Sequence, residues 1–168
     1  MSASQNQPIL LCYDGSAGAK RAIQTVAGLF PGRDAAVLHS WRPISGIASA
    51  YAILPVAAYD EGEVRRAAMR IASQGAVIAN AAGLHATPEI AEARLESDWE
   101  AILLAADRMD ACLIVLGARG LSGFRSLVLG SVSHGVAQHS HRPVLVVPPL
   151  LVQPEADESP FTPAATAQ

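Results

Sequence analysis

Short apolar runs alternate with stretches of helical periodicity along most of this chain, and that alternation limits its folds more than any other feature. Pro8 to Tyr13 (PILLCY) reads as a buried strand ending at a turn, Asp14-Gly15-Ser16. Beyond Ser16 the spacing changes. Ala19, Ala22, Ile23, Val26, Ala27 and Phe30 share one helical face, while Lys20, Arg21 and Gln24 take the other. Ser16 has the chemistry of an N-cap, and Pro31-Gly32 stops the helix. Ala35 to Trp41 is a second strand.

Asp60 and Glu63 are spaced as a capping box for a helix that runs to Gly83 through Val64, Ala68, Ile71, Gly75, Ile78 and Ala82. A third strand lies within Ala86 to Leu95, where polar alternation and Pro88 suit a sheet edge. Ser97 and Glu100 form another capping box, with Trp99, Ile102, Leu103 and Ala106 on one face of the helix that follows. Ala111 to Leu116 (ACLIVL) is apolar throughout, as a central strand covered on both sides must be. Ser131 to about His139 is a helix with Val132 and Val136 inward, and Pro143 to Val147 is a last strand. Strand followed by helix, repeated and closed by a strand, predicts an α/β fold. Its form is an open doubly wound parallel five-stranded sheet with helices on both faces.

The 168 residues fit one domain, and 51% apolar against 16% charged residues provides a sizeable core. We expect an N-terminal extension over 1–7, the domain over 8–149 and a disordered Pro-, Ala- and Glu-rich tail over 150–168. A formal net charge of −3 speaks against a nucleic-acid partner gripped by overall field. The N-terminus has no leader-like pattern and no run is apolar enough to span a membrane, so the expectation is a cytoplasmic protein without a membrane partner. Cys12 and Cys112 are expected to be reduced thiols in neighbouring strands. With Asp14 level with Gly117 they lie about three residues out of register, on the order of 10 Å, too far for a disulfide. The apolar stretch Ile44 to Tyr59 is long for a connection; its default reading is a packed loop, with a flap or an unknown protein partner as alternatives.

In an open parallel sheet ligands bind beyond the carboxyl ends of the strands, where strand order reverses. Two such ends carry unusual residues: Asp14-Gly15-Ser16, and Gly117-Ala118-Arg119-Gly120. Nine residues after Gly120, Gly130-Ser131 opens a helix whose free N–H groups and positive dipole end favour an anion. Taken singly each glycine is a turn or cap residue; their joint placement points to an anion site. Arg119 and Arg125 could offset its charge. Neither a Walker A sequence nor Gly-x-Gly-x-x-Gly is present, and the serines near Gly130 have the wrong offsets for a nucleophile elbow. His134, His139 and His141 lack metal-ligand spacing, and His39 reads as a structural, hydrogen-bonded histidine.

The run Gly117-x2-Gly120-x9-Gly130-Ser131 with its Pro-Val-Leu-Val-Val strand, together with Asp14-Gly15-Ser16 and Leu38-His39, resembles the ATP-binding branch of the universal stress protein family. The resemblance covers roughly Pro8 to Pro148 and implies an adenine nucleotide alpha-hydrolase-like fold. It implies that Gly117, Gly120, Gly130, Ser131 and Val132 hold phosphates with Arg119 beside them. Asp14 then lies at the ribose or metal end, backbone around Val37 faces adenine, and Leu116 lines the pocket. ATP with Mg²⁺, the ion held by phosphates and water rather than protein ligands, is the implied cofactor set. A homodimer paired through Pro143 to Val147 is the implied assembly. The expected function is a nucleotide-responsive regulator in the stress response, with no catalytic residue assigned. A slow ATPase or phosphotransferase, or a nucleotide-free scaffold, are the alternatives.

Overall fold

The computed structural model describes residues 7–43, 60–93, 97–118 and 129–149. Arg119, Gly120, Arg125, the Ile44 to Tyr59 stretch, the 150–168 tail and most of the 1–7 extension lie outside the described residues. Five parallel strands, β1 (Ile9–Cys12), β2 (Asp34–Trp41), β3 (His85–Glu92), β4 (Leu113–Gly117) and β5 (Val144–Val147), form one sheet. The helices are α1 (Ala17–Leu29), α2 (Glu61–Ala81), α3 (Asp98–Arg108) and α4 (Ser131–His139).

The order across the sheet is β3-β2-β1-β4-β5, so the chain runs outward from β1 in one direction and then restarts beside β1 in the other. The switch point expected between β1 and β4 is therefore present. Leu11 pairs with Val115, which sets Asp14 level with Ala118 rather than Gly117. Cys12 is thus level with Leu116, four residues from Cys112 instead of the expected three, and both cysteines are free.

Side-chain alternation along β1 builds two cores. Ile9, Leu11 and Tyr13 join Val37 and Val115 against Ile23 and Val26 of α1 and Ala76 and Ala79 of α2. Leu10 joins Leu38, Ile114 and Leu116 against Ile102, Ala105 and Ala106 of α3 and Val136 of α4. The helix starts follow from local chemistry. Ser16 Oγ accepts from the Ala19 N–H at 3.1 Å, and the Ser97–Glu100 capping box is complete. At α2 the Asp60 carboxylate instead caps Gly62 N–H at 2.8 Å and takes Arg66 at 2.9 Å. Those bonds hold its carboxyl below the usual range, Arg66 making the larger contribution.

β3 is an edge strand, as its alternation predicted. Asn80 of α2 bonds both the N–H and the carbonyl of Ala86, which marks Ala86 as facing away from the ladder. Pro88, two residues on, has the same parity, so its missing N–H removes no ladder bond.

Gly75 of α2 sits where a Cβ would come within 2.7 Å of both the Tyr13 ring and Val37 Cγ1. The helix reaches the sheet there only because the side chain is absent. Gly75→Val is expected to overpack this contact and destabilise by about 1–3 kcal/mol; a urea midpoint equal to that of the parent protein would overturn the assignment.

Candidate functional site

A cleft of about 300 Å³ opens beyond the carboxyl ends of β1, β2 and β4, at the switch point. Its walls combine apolar groups (Leu38, Ile102, Leu116, Val132) with Asp14, His39, Asp98 and the first turn of α4.

Each of these is placed by a specific local interaction. Gly15 has φ +85°, a left-handed conformation that lets β1 turn into α1 without a Cβ clash. Across that turn an Asp14 oxygen accepts the Ser16 N–H at 2.9 Å, which fixes the carboxylate at the rim. His39 Nδ1 lies 2.9 Å from the Tyr13 carbonyl. A carbonyl only accepts, so Nδ1 carries the proton and Nε2 is the ring's acceptor. The histidine thereby extends the β1–β2 ladder past the Tyr13 N–H to Leu38 carbonyl bond, at 2.8 Å, as a structural group.

Gly117 has a packing reason for being glycine. A Cβ there would stand 2.8 Å from the Gly18 carbonyl carbon, so the first turn of α1 could not close on β4. From Ala118 the N–H bonds the Val147 carbonyl at 2.8 Å, and its own carbonyl accepts from the Gly130 N–H at 2.8 Å. The buried Ser133 hydroxyl lies 2.9 Å from the Ala118 carbonyl and 3.0 Å from that of Gly130. Strand β4 and helix α4 are thus pinched together at one carbonyl. Ser133 escaped sequence reasoning because a serine inside a helix looks solvent-facing; the only hint was its third place after Gly130.

Gly130 is the N-cap of α4 (φ −63°, ψ 158°) and supplies no side-chain acceptor. The first helical bond is His134 N–H to the Gly130 carbonyl, at 2.8 Å. The N–H groups of Ser131, Val132 and Ser133 therefore have no carbonyl within the helix, and all three residues line the cleft. The expected residues Asp14, Leu116, Gly117, Gly130, Ser131 and Val132 are brought together here. Val37 is not among the lining residues. Its side chain is fully buried on the opposite face of the sheet, and Leu38, His39 and Ser40 occupy the β2 side of the cleft.

Two further features bear on chemistry. Burial, with Asp14 nearby, pushes the Cys12 thiol up to about 12, so at neutral pH it is neutral and unreactive. Asp98, at the start of α3, enters the cleft wall and pairs with Arg42 Nε at 3.4 Å. Sequence reasoning saw only the capping box around it. No group of three metal-ligating side chains occurs among the described residues, and His139 instead stacks on Trp99 at 4.5 Å between ring centroids.

A sequence model described as the universal stress protein family matches residues 5–148. A universal stress protein from Thermus aquaticus is 35% identical over 142 residues, covering 83% of this chain and 96% of that protein. Universal stress protein YxiE of Bacillus subtilis is 52% identical over 46 residues, 27% of this chain, and this match spans only 31% of its length. Among solved structures, a universal stress protein in complex with cAMP superimposes with a TM-score of 0.54 at 26% identity, covering 84% of this chain and 95% of the other.

Ser133→Ala removes the hydroxyl that closes α4 onto β4. The expected loss is about 1–3 kcal/mol of unfolding free energy, with faster amide exchange at Gly130. Unchanged stability and exchange would show that the Ala118–Gly130 backbone bond suffices.

Proposed function

Because the chain belongs to the universal stress protein family, we propose that its cleft binds an adenine nucleotide, ATP with Mg²⁺, and that binding rather than turnover is its task. The protein acts in the cytoplasm as a homodimeric, nucleotide-responsive regulator in the stress response. The observation that carries the reading is the α4 N-terminus, where the N–H groups of Ser131 to Ser133 have no partner among the described residues and these residues line a cleft with apolar walls. Phosphate oxygens would take those N–H groups, favoured by the helix dipole. The base would lie between apolar walls such as Leu38, Ile102 and Leu116. The binding of cAMP by a relative of similar fold supports an adenine ligand.

The residues fit this ligand set. A cleft of about 300 Å³ is at the lower end of ordinary small-ligand sites. Asp14 is the rim carboxylate closest in sequence to the α1 turn, suited to a ribose hydroxyl or to a water on the metal. With no triad of protein ligands among the described residues, Mg²⁺ would be held mainly by phosphates and water. Bound there, the ion supplies charge neutralisation for the triphosphate.

Favouring binding over turnover, the cleft's polar side chains are largely engaged in structure. His39 Nδ1 holds the Tyr13 carbonyl, the one Ser133 hydroxyl proton is shared between the Ala118 and Gly130 carbonyls, and Asp14 accepts the Ser16 N–H. That engagement with the backbone favours binding over the orienting of an attacking water that phosphoryl transfer requires. For the dimer, β5 ends the sheet. The carbonyls of Pro143 and Val147 face β4, so by alternation Val144 and Val146 turn their backbone groups outward, ready to pair with a second copy.

Two substitutions test these claims. Gly130→Asp places a good cap on α4, so melting temperature should hold or rise, yet its carboxylate would occupy the phosphate position. ATP·Mg affinity by calorimetry should fall at least about tenfold, as loss of one charge-assisted contact and new repulsion require; retained affinity would refute phosphate binding there. Val146→Pro removes an outward N–H while sparing the ladder to β4. Sedimentation should then show a monomer where the parent protein is a dimer, and a persisting dimer would place the interface elsewhere.

A further inference from the structure

We propose that Asp98, held by Arg42 at the cleft wall, is a specificity residue that selects adenine by accepting a hydrogen bond from its exocyclic amine. The inference rests on the nucleotide reading above and extends it to the base. Asp98 belongs to the first turn of α3, and it shares the cleft with the Leu38 to Ser40 end of β2 and with Ile102. Its Oδ1 faces Arg42 Nε at 3.4 Å; among the described residues no partner is seen for Oδ2. The arginine comes from just beyond β2, so the ion pair links the β2 end to the α3 start.

Charge sets the orientation of the ligand. A triphosphate is drawn to the N–H groups that open α4, so the phosphates lie there and the base extends along the cleft towards Asp98, whose charge Arg42 largely offsets. Near Asp98 the base meets apolar side chains on its faces and an acceptor-only group at its edge. Adenine presents an amine donor at the exocyclic position, whereas hypoxanthine and guanine present an oxo acceptor there and carry their donor on the neighbouring ring nitrogen N1. A carboxylate oxygen held opposite the exocyclic position bonds the first and faces an oxygen in the others. A site built to satisfy a donor discriminates because the mismatched ligand sets two acceptors against each other and leaves the carboxylate unpaired under the base.

The test is calorimetric titration of the full chain with ATP·Mg and inosine triphosphate·Mg, for the parent protein, Asp98→Asn and Asp98→Ala. The Ser97–Glu100 capping box does not involve the Asp98 side chain, so α3 should stay capped, and thermal melting verifies this for each variant. The parent protein should prefer ATP by about ten- to a hundredfold, the range of a hydrogen bond to a charged group. Asp98→Ala should weaken ATP and bring the ratio near one. Asp98→Asn, whose amide can also donate, should in addition strengthen inosine triphosphate. A parent ratio within about twofold, or the same ratio in all three proteins, overturns the assignment while leaving nucleotide binding intact. An equal weakening of both ligands by Asp98→Ala would assign the carboxylate to the sugar and likewise overturn it. If the parent protein binds neither nucleotide, the nucleotide reading falls and this inference with it.

Discussion

The burial of β1 on both faces is the constraint from which the rest of the molecule follows. Ile9, Leu10 and Leu11 are exposed by 2%, 0% and 1%, and their side chains alternate between two cores. A strand with no polar face must be covered on both sides. Parallel pairing with right-handed crossovers can achieve this only if the chain leaves β1 in one direction and later returns on the other side. The order β3-β2-β1-β4-β5 is that solution. Its by-product is a crevice beside β1, since α1 and α4 must diverge where the connections part.

The crevice keeps its shape because the backbone around it is bonded to itself. The Ala118 carbonyl receives both the Gly130 N–H and the Ser133 hydroxyl, and His39 carries the β1–β2 ladder one step beyond the last strand residues. Gly117 lets α1 approach within contact of the β4 end. Among the described residues the first N–H groups of α4 have no partner, and they belong to residues that line a cleft with apolar and polar walls. A binding site of this kind needs no side-chain catalyst. It is a property of how a helix starts.

Much of this was legible in the chain. Helix α4 was read over Ser131 to about His139 and is observed over Ser131–His139, because Gly130 and the Val132/Val136 spacing are purely local signals. The Ser97–Glu100 box and the edge position of β3 were likewise local. Where the reading went astray, the missing information was non-local. The cysteines are offset by four residues rather than three, and Asp60 takes Arg66 and Gly62 as partners. The positions of Asp98 and Ser133 at the cleft were scarcely marked in the sequence, since both sit in helices whose faces meet the cleft only after packing.

The sequence by itself determined the elements, their parallel order of use and the concentration of glycine and aspartate at two strand ends, because periodicity, capping and turn chemistry act over a few residues. It also determined the family, through motifs that are contiguous in the chain. Only the tertiary structure decided which side of each strand faces the cleft, that a serine hydroxyl closes α4 onto β4, and that an Arg42–Asp98 pair stands in the cleft wall. Those facts depend on strand register and helix rotation. They are set by the simultaneous packing of two cores, which no local stretch of sequence encodes.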